Sequence, residues 1–230
     1  MSKDFTHLHL HTQYSFLDGA IRIKDLIKKI SELGMKQVAV TDHGNMFGAL
    51  DFYKQARASG IKPILGIEAY ITGSANYTDK VRENFHLILL AQNNIGYDNL
   101  RKLTSESFIN GKYFFPRIDK KLLYKHREGL IATTACLGGE VGKKLAQNDI
   151  DGARAAAREF KQIFGKDNFF LEVQPNGIAL QNRVNAQLAM MAKEEDLRLI
   201  ATNDCHYVNQ DQHDAQNMLM AIRQQKAWDD

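Results

Sequence analysis

What most constrains the fold of this chain is a recurring unit: a short β-rich apolar run, a Gly or Asp turn, then an amphipathic helical stretch. No Pro/Ser-rich linker or low-complexity tract interrupts the series. Candidate strands are Phe5 to Leu10, Gln37 to Thr41, Pro63 to Ile71, Phe85 to Ala91, Gly129 to Thr134, Asn168 to Val173 and Arg198 to Thr202, seven in all, each bounded by polar residues or glycine. Between them apolar residues recur at i, i+3, i+4 and i+7, as in Ile23, Leu26, Ile27, Ile30 and Leu33, or Leu180, Val184, Leu188 and Met191, which predicts helices with one apolar face. Gly34 and Gly60 each follow a helical stretch, with a lysine two residues on and then a strand, the pattern of a helix that stops on a left-handed cap. This alternation calls for parallel strands covered by helices, in a single domain spanning 1–230.

The placement of polar residues chooses between an open and a closed sheet. His43 follows the second candidate strand, Cys136 the fifth, and Asp204 and His206 the seventh, so one rim collects potential ligands. A barrel brings those strand ends together over one mouth, whereas an open sheet spreads them along a line. With 44% hydrophobic and 25% charged residues the chain can bury one sizeable core. A net charge of +3 permits nucleic-acid binding without requiring it. The start, Met1 to Phe5, has no secretory character, no apolar run approaches the roughly 18 residues of a bilayer span, and two cysteines make no disulfide framework. These features predict a soluble cytoplasmic protein with no membrane contact.

His7-Leu8-His9-Leu10-His11 places three imidazoles at alternate positions, which on a strand share one face, and neutral imidazoles are strong ligands for divalent metals. Asp204-Cys205-His206 repeats the logic, with Asp204 and His206 on one side and Cys205 on the other. His43 sits in Thr41-Asp42-His43-Gly44-Asn45, at a strand-to-helix turn where Asp42 or Asn45 is a candidate helix cap. Glu68 is a carboxylate inside an apolar strand, so a metal, or else a buried arginine, is needed to neutralise it. Cys136 reads equally as a ligand or a plain buried residue, and His86 opens a strand rather than closing one, which the rim rule does not predict.

On these residues the chain resembles the polymerase and histidinol phosphatase (PHP) domain, in the form found at the N-terminus of bacterial DNA polymerase III alpha subunits. The resemblance runs from Phe5 to about Trp228. It is most specific in His7 to Gly19 (HLHLHTQYSFLDG), Thr41 to Gly48 (TDHGNMFG), Gly60 to Tyr70 (GIKPILGIEAY), Phe85 to Ala91 (FHLILLA), Gly129 to Glu140 and Ala201 to Tyr207 (ATNDCHY). It implies a distorted TIM-like (βα)7 barrel of the α/β class, in the N-terminal part of a longer polymerase chain. It also implies a site for two or three divalent metals, zinc, manganese or iron, held by His9, His11, Asp18, His43, Glu68, His86, Cys136, Asp204 and His206. His7 falls where many members carry aspartate, and is expected behind the ligands rather than among them.

The activity implied is metal-assisted phosphoester hydrolysis, in which cations hold phosphate oxygens and bring the pKa of water towards neutrality. For a replicative polymerase the implied substrate is a DNA 3′ end, cut by a 3′-5′ exonuclease. The implied partners are the remainder of the alpha chain and a proofreading exonuclease subunit. Arg117, with Lys80 and Arg82, is a candidate for holding phosphate, and Tyr14, Phe114 and Phe115 are candidates for stacking on bases. Two other readings share the site: a catalytically silent, metal-stabilised module that docks the polymerase or proofreading subunit, and a small-molecule phosphatase of the histidinol-phosphate type.

Overall fold

The computed structural model describes residues 5–227; residues 1–4 and 228–230, which the expected domain of 1–230 also spans, lie outside the described residues. Helix α1 (Ile23–Glu32) leads into β1 (Gln37–Val40), and α2 (Ala49–Ala58) into β2 (Lys62–Thr72), which is followed directly by β3 (Asn84–Ala91). Helix α3 (Asn94–Ile109) feeds a short hairpin of β4 (Lys112–Tyr113) and β5 (Phe115–Ile118). Then α4 (Lys120–Lys125) precedes β6 (Leu130–Thr133), α5 (Glu140–Ala146) and α6 (Ile150–Phe164) precede β7 (Phe169–Val173), and α7 (Ala179–Glu194) precedes β8 (Arg198–Ala201), with α8 (His213–Gln224) last. Gly34 and Gly60 adopt φ of +69° and +70°, the left-handed conformation expected after α1 and α2.

Strand β1 pairs parallel with β2, and β6, β7 and β8 pair parallel in sequence, but β3 runs antiparallel to both β2 and β6. The uniformly parallel sheet expected from the alternation is corrected here. Parallel neighbours need a crossover, and the connection 73–83 contains no helix, so β3 can only return alongside β2. This reversal resolves the position of His86: the start of an antiparallel strand lies at the same rim as the ends of its parallel neighbours.

The segment expected as the first strand does not form a regular ladder, because the chain bends at His9. It nevertheless closes the barrel. On one side the Ala39 and Thr41 amides donate to the carbonyls of His7 and Leu10, and on the other the His11 amide donates to Cys205 O and the Cys205 amide to His9 O. The segment, β1, β2, β3, β6, β7 and β8 thus form a distorted TIM-like barrel, with the β4–β5 hairpin added at the end of β2.

Period-two alternation sorts the two faces. On β2, Ile67, Ala69 and Ile71 point outward with Leu87 and Leu89 of β3, into a core shared with α3, α5, α6 and α7. A second core joins Leu10, Val38 and Val40 to α1 and α2. Ile88, Leu90 and Ala39 point inward with Ile64 and Leu8 and fill the barrel below its mouth. Glu68 belongs to that inward row, so the strand periodicity itself carries its carboxylate into the barrel.

Arg117 is not a phosphate ligand. It is buried on β5, and its guanidinium donates to the backbone carbonyls of Tyr77 (3.3 Å), Asp79 (2.8 Å), Gly111 (3.2 Å) and Val81, tying down the connection 73–83. Lys80 and Arg82 are exposed on that connection, and Arg82 lies over the Phe114 ring. Arg117→Ala leaves these acceptors without their buried donor and is expected to lower unfolding stability by about 3 kcal/mol. Urea denaturation and limited proteolysis read the outcome: a lower midpoint with new cleavage within 74–82. An unchanged midpoint would contradict the role.

Candidate metal centre

The centre is organised around Glu68. Its Oε2 lies 2.6 Å from His43 Nδ1 and 3.4 Å from His11 Nε2, and its Oε1 lies 2.8 Å from His86 Nδ1 and 3.6 Å from His9 Nε2. Asp204 Oδ1 stands 3.1 Å from His9 Nε2 and 3.2 Å from His11 Nε2. Asp18 faces His43 Nε2 at 3.0 Å and His206 Nε2 at 3.6 Å, and Cys136 Sγ is 3.8 Å from His86 Nδ1. All nine residues anticipated from the sequence therefore meet in one cluster. The rings of His43 and His206 stack on His11, with centroids at 4.1 and 4.4 Å.

Three of these imidazoles are oriented from behind. His9 Nδ1 is 2.7 Å from Glu172 Oε1, His11 Nδ1 is 3.1 Å from Ser15 Oγ, and His206 Nδ1 is 2.8 Å from the Asp204 carbonyl, so each presents Nε2 to the centre. Ser15 Oγ also accepts the His43 amide and donates to Asp42, which in turn accepts from the amide and hydroxyl of Thr12. Asp42 thus holds the first loop rather than capping α2, and Asn45 donates to the carbonyls of Tyr14 and His43. A second nitrogen fixed by an acceptor is the usual arrangement behind metal-binding histidines.

Backbone strain gathers at the same residues. Leu17, Ala135 and Asp204 have φ of 57°, 56° and 50°, and they precede Asp18, precede Cys136 and belong to the cluster, respectively. Asp204 is therefore not in the extended segment that the Asp-Cys-His spacing suggested, yet its carboxylate and His206 still converge. Gly138 admits His86: a Cβ there would stand 2.9 Å from the ring's Nδ1. His7 stands outside the cluster, its Nδ1 3.5 Å from Cys205 Sγ and its ring edge-on to Phe5, because the bend at His9 breaks the alternation.

Glu172 was not singled out by the sequence, although it carries the same signal as Glu68, an acid within an apolar strand. It is buried, receives the hydroxyls of Thr133 and Thr202 and the Gln174 amide, and orients His9. Arg223 of α8 also went unnoticed; its Nη1 donates to Asp18 Oδ2 at 2.6 Å.

The charges are strongly coupled. Burial pushes His9 and His43 down, but Asp204 and Glu172 around the first and Glu68 and Asp18 around the second overcome it and raise both to about 10. Burial and the neighbouring His43 charge lower His11 to about 4. Burial, then the charges of Glu68 and Asp204, push the Cys136 thiol up. Although burial opposes ionisation, His86 and His43 hold Glu68 well below the usual carboxylate range. Even so, neither Glu68 oxygen has a donor in hydrogen-bond alignment, nor has Asp204 Oδ1 or His43 Nδ1 a partner so aligned. Three overlapping donor sets, His9-His11-Asp204, His11-His43-His206 and His43-Glu68-His86, have ligand atoms within 4.8 Å of one another. Buried, misaligned and mutually close donors of mixed N and O type fit divalent cations.

Fold and site together define an α/β barrel with a metal-type centre at its mouth. The chain belongs to the PHP domain family, which matches residues 7–176. It is 48% identical to the DNA polymerase III subunit alpha of Helicobacter pylori (strain J99) over 240 residues, which cover 100% of this chain and 20% of that one. It is 46% identical to the DNA polymerase III subunit alpha of Aquifex aeolicus over 235 residues, with 98% and 20% covered. The chain thus spans 20% of the length of these curated relatives. Among solved structures, an amidohydrolase from Chromobacterium violaceum with bound sulfate and no metal aligns with a TM-score of 0.55 at 15% identity, covering 87% of each chain. A two-domain protein containing a predicted PHP-like metal-dependent phosphoesterase from Bacteroides vulgatus gives a TM-score of 0.55 at 14% identity, covering 87% of this chain and 51% of that one. These two likenesses establish the barrel fold. No helix among the described residues is long and apolar enough to cross a membrane.

Since His9 and His43 carry protons up to about pH 10 and Cys136 is a thiol, cations entering at neutral pH must displace protons. Lower pH is therefore expected to weaken metal binding, and loading at pH 7.5 to release about two or three protons per chain. Calorimetric titration with manganese in buffers of different ionisation enthalpy measures this; heats independent of the buffer would contradict it.

Proposed function

We propose that this chain is the PHP region of a cytoplasmic DNA polymerase III alpha subunit, joined to the remainder of that polymerase, and that it hydrolyses phosphoesters at a DNA 3′ end as a 3′-5′ exonuclease. The observation that carries this reading is a cluster of nine donor residues centred on Glu68, a buried carboxylate with four imidazoles within 3.6 Å of its oxygens and no donor aligned to either oxygen. His9, His11, Asp18, His43, Glu68, His86, Cys136, Asp204 and His206 would hold two or three cations, with Glu68 central, and the mixed donor set suits zinc, manganese or iron. When bound, such cations polarise phosphoryl oxygens and lower the pKa of water.

The chain's own residues supply the rest. Glu172, Ser15 and the Asp204 carbonyl keep His9, His11 and His206 in one orientation, which removes reorganisation from the reaction. A nucleic-acid substrate is favoured over a small phosphoester by the aromatic rim: Phe16, two residues before Asp18, is 67% exposed, and Phe47, 56% exposed, lies 6.3 Å from it between ring centroids. Exposed rings beside a phosphoesterase site are suited to stacking bases. Of the candidates read from the sequence, Tyr14 packs on the α1–α2 core and Phe115 lies against Tyr70 at 4.8 Å, whereas Phe114 is 60% exposed with the Arg82 guanidinium over its ring and stays a candidate.

The test is manganese-loaded chain with a 3′-labelled DNA primer. Shortening from the 3′ end is expected, with His9→Ala and Asp204→Ala each abolishing it. The double variant Phe16→Ala, Phe47→Ala should raise KM for DNA about tenfold, as loss of stacking on one or two bases requires, while turnover of a small aryl phosphodiester stays unchanged. Metal bound without any turnover of either substrate would instead favour the silent structural module.

A further inference from the structure

We propose that Arg223 is the phosphate-binding residue of this centre: it holds Asp18 when no substrate is present and turns its guanidinium to the phosphoryl oxygens of an incoming phosphodiester. The proposal rests on the reading of the centre as a phosphoester hydrolase and assigns it a substrate contact outside the donor set.

A phosphodiester approaching this mouth meets a wall of acids. Asp18, Glu68 and Asp204 line the centre, with Glu172 behind His9, and even with cations bound the substrate's non-bridging oxygens need a donor that no carboxylate can give. Among the described residues Arg223 is the one lysine or arginine within ion-pair distance of any of the nine cluster residues. It contacts Asp18, the member that faces both His43 and His206.

Its geometry suits exchange rather than a permanent tie. Only Nη1 is engaged; Nε and Nη2 have no protein acceptor among the described residues. Planar donors left free on one edge match the bidentate geometry of a phosphate. The Arg223 side chain is 38% exposed and α8 buries none of its residues, so on the arginine's side the pair is open to solvent and to an incoming anion, although Asp18 itself is buried. Arg223 lies in the last turn of α8, just before Gln225 ends the helix in a left-handed conformation with φ 56°, a site where a cation is favoured by the helix carbonyls. The chain therefore presents at its acid rim an arginine that is held by one ligand carboxylate and otherwise uncommitted.

The test compares wild type with Arg223→Gln and Arg223→Lys, all loaded with manganese. Metal content is read by elemental analysis, folding by thermal melting, and binding of inorganic phosphate by calorimetry, with KM and kcat on DNA as a further readout. Arg223→Gln should keep the wild-type metal content and melting temperature but weaken phosphate binding by about tenfold or more, and KM should rise more than kcat falls. Arg223→Lys, which keeps the charge but not the fork, should recover part of the loss; it carries the same test if the glutamine variant does not fold. Phosphate binding equal to wild type, or loss of metal in both variants, overturns the proposal. A loaded wild type that neither binds phosphate nor cleaves any phosphoester overturns the hydrolase reading itself, and this proposal with it.

Discussion

A carboxylate sealed inside a barrel must be neutralised, and in this protein the neutralisation of Glu68 organises everything around the mouth. Desolvating a carboxylate costs on the order of several kcal/mol unless charges of opposite sign surround it. Here four imidazoles and, among the described residues, no lysine or arginine do so, since His9, His11, His43 and His86 all lie within 3.6 Å of its oxygens. Imidazoles are neutral ligands by preference, and His9 and His43 are pushed towards the protonated form because the acids around them outweigh their burial. A cluster built from groups that would rather coordinate than ionise is stable as a network of ion pairs and better matched to cations.

The fold delivers these groups from separate stretches of chain by simple means. Inward periodicity on β2 brings in Glu68, and the antiparallel return of β3 places His86 beside it, across from Tyr70. The closing segment with its bend supplies His9 and His11, while strained turns at Leu17, Ala135 and Asp204 aim Asp18, Cys136 and the last acid at the same point. Behind them, Glu172, Asp42 and Ser15 form a polar layer that holds the rings of His9 and His11 in one orientation.

The outer architecture was legible in the sequence because it follows from periodicity. Six of the seven candidate strands are present within about a residue or two of their expected bounds, and Gly34 and Gly60 cap their helices as read. His9, His11, His43, Glu68, Asp204 and His206 are legible from local pattern, whereas Asp18 enters only through the resemblance to the PHP domain, which also decides Cys136 and His86; in the structure all nine meet as a group. What escaped depends on long-range geometry. The reversal of β3 turns on a missing helix in 73–83, and the departure of His7 on a bend that no local pattern announces. Arg117 reads as a free cation until β5 is known to bury it among backbone carbonyls, whereas Arg223 reads as one more surface arginine until α8 is folded back onto Asp18. Glu172 was within reach, since an acid in Phe169-Phe170-Leu171-Glu172-Val173 raises the same question as Glu68.

The measurement that bears most directly on the central claim is anomalous X-ray diffraction from crystals of the manganese- or zinc-loaded chain, recorded on both sides of the metal absorption edge. If Glu68 is placed to hold cations, two or three anomalous peaks should lie within about 2.0–2.5 Å of its oxygens, of imidazole nitrogens of the cluster or of Cys136 Sγ. Peaks confined to the protein surface, or a centre in which Glu68 keeps only protonated histidines for company, would contradict it.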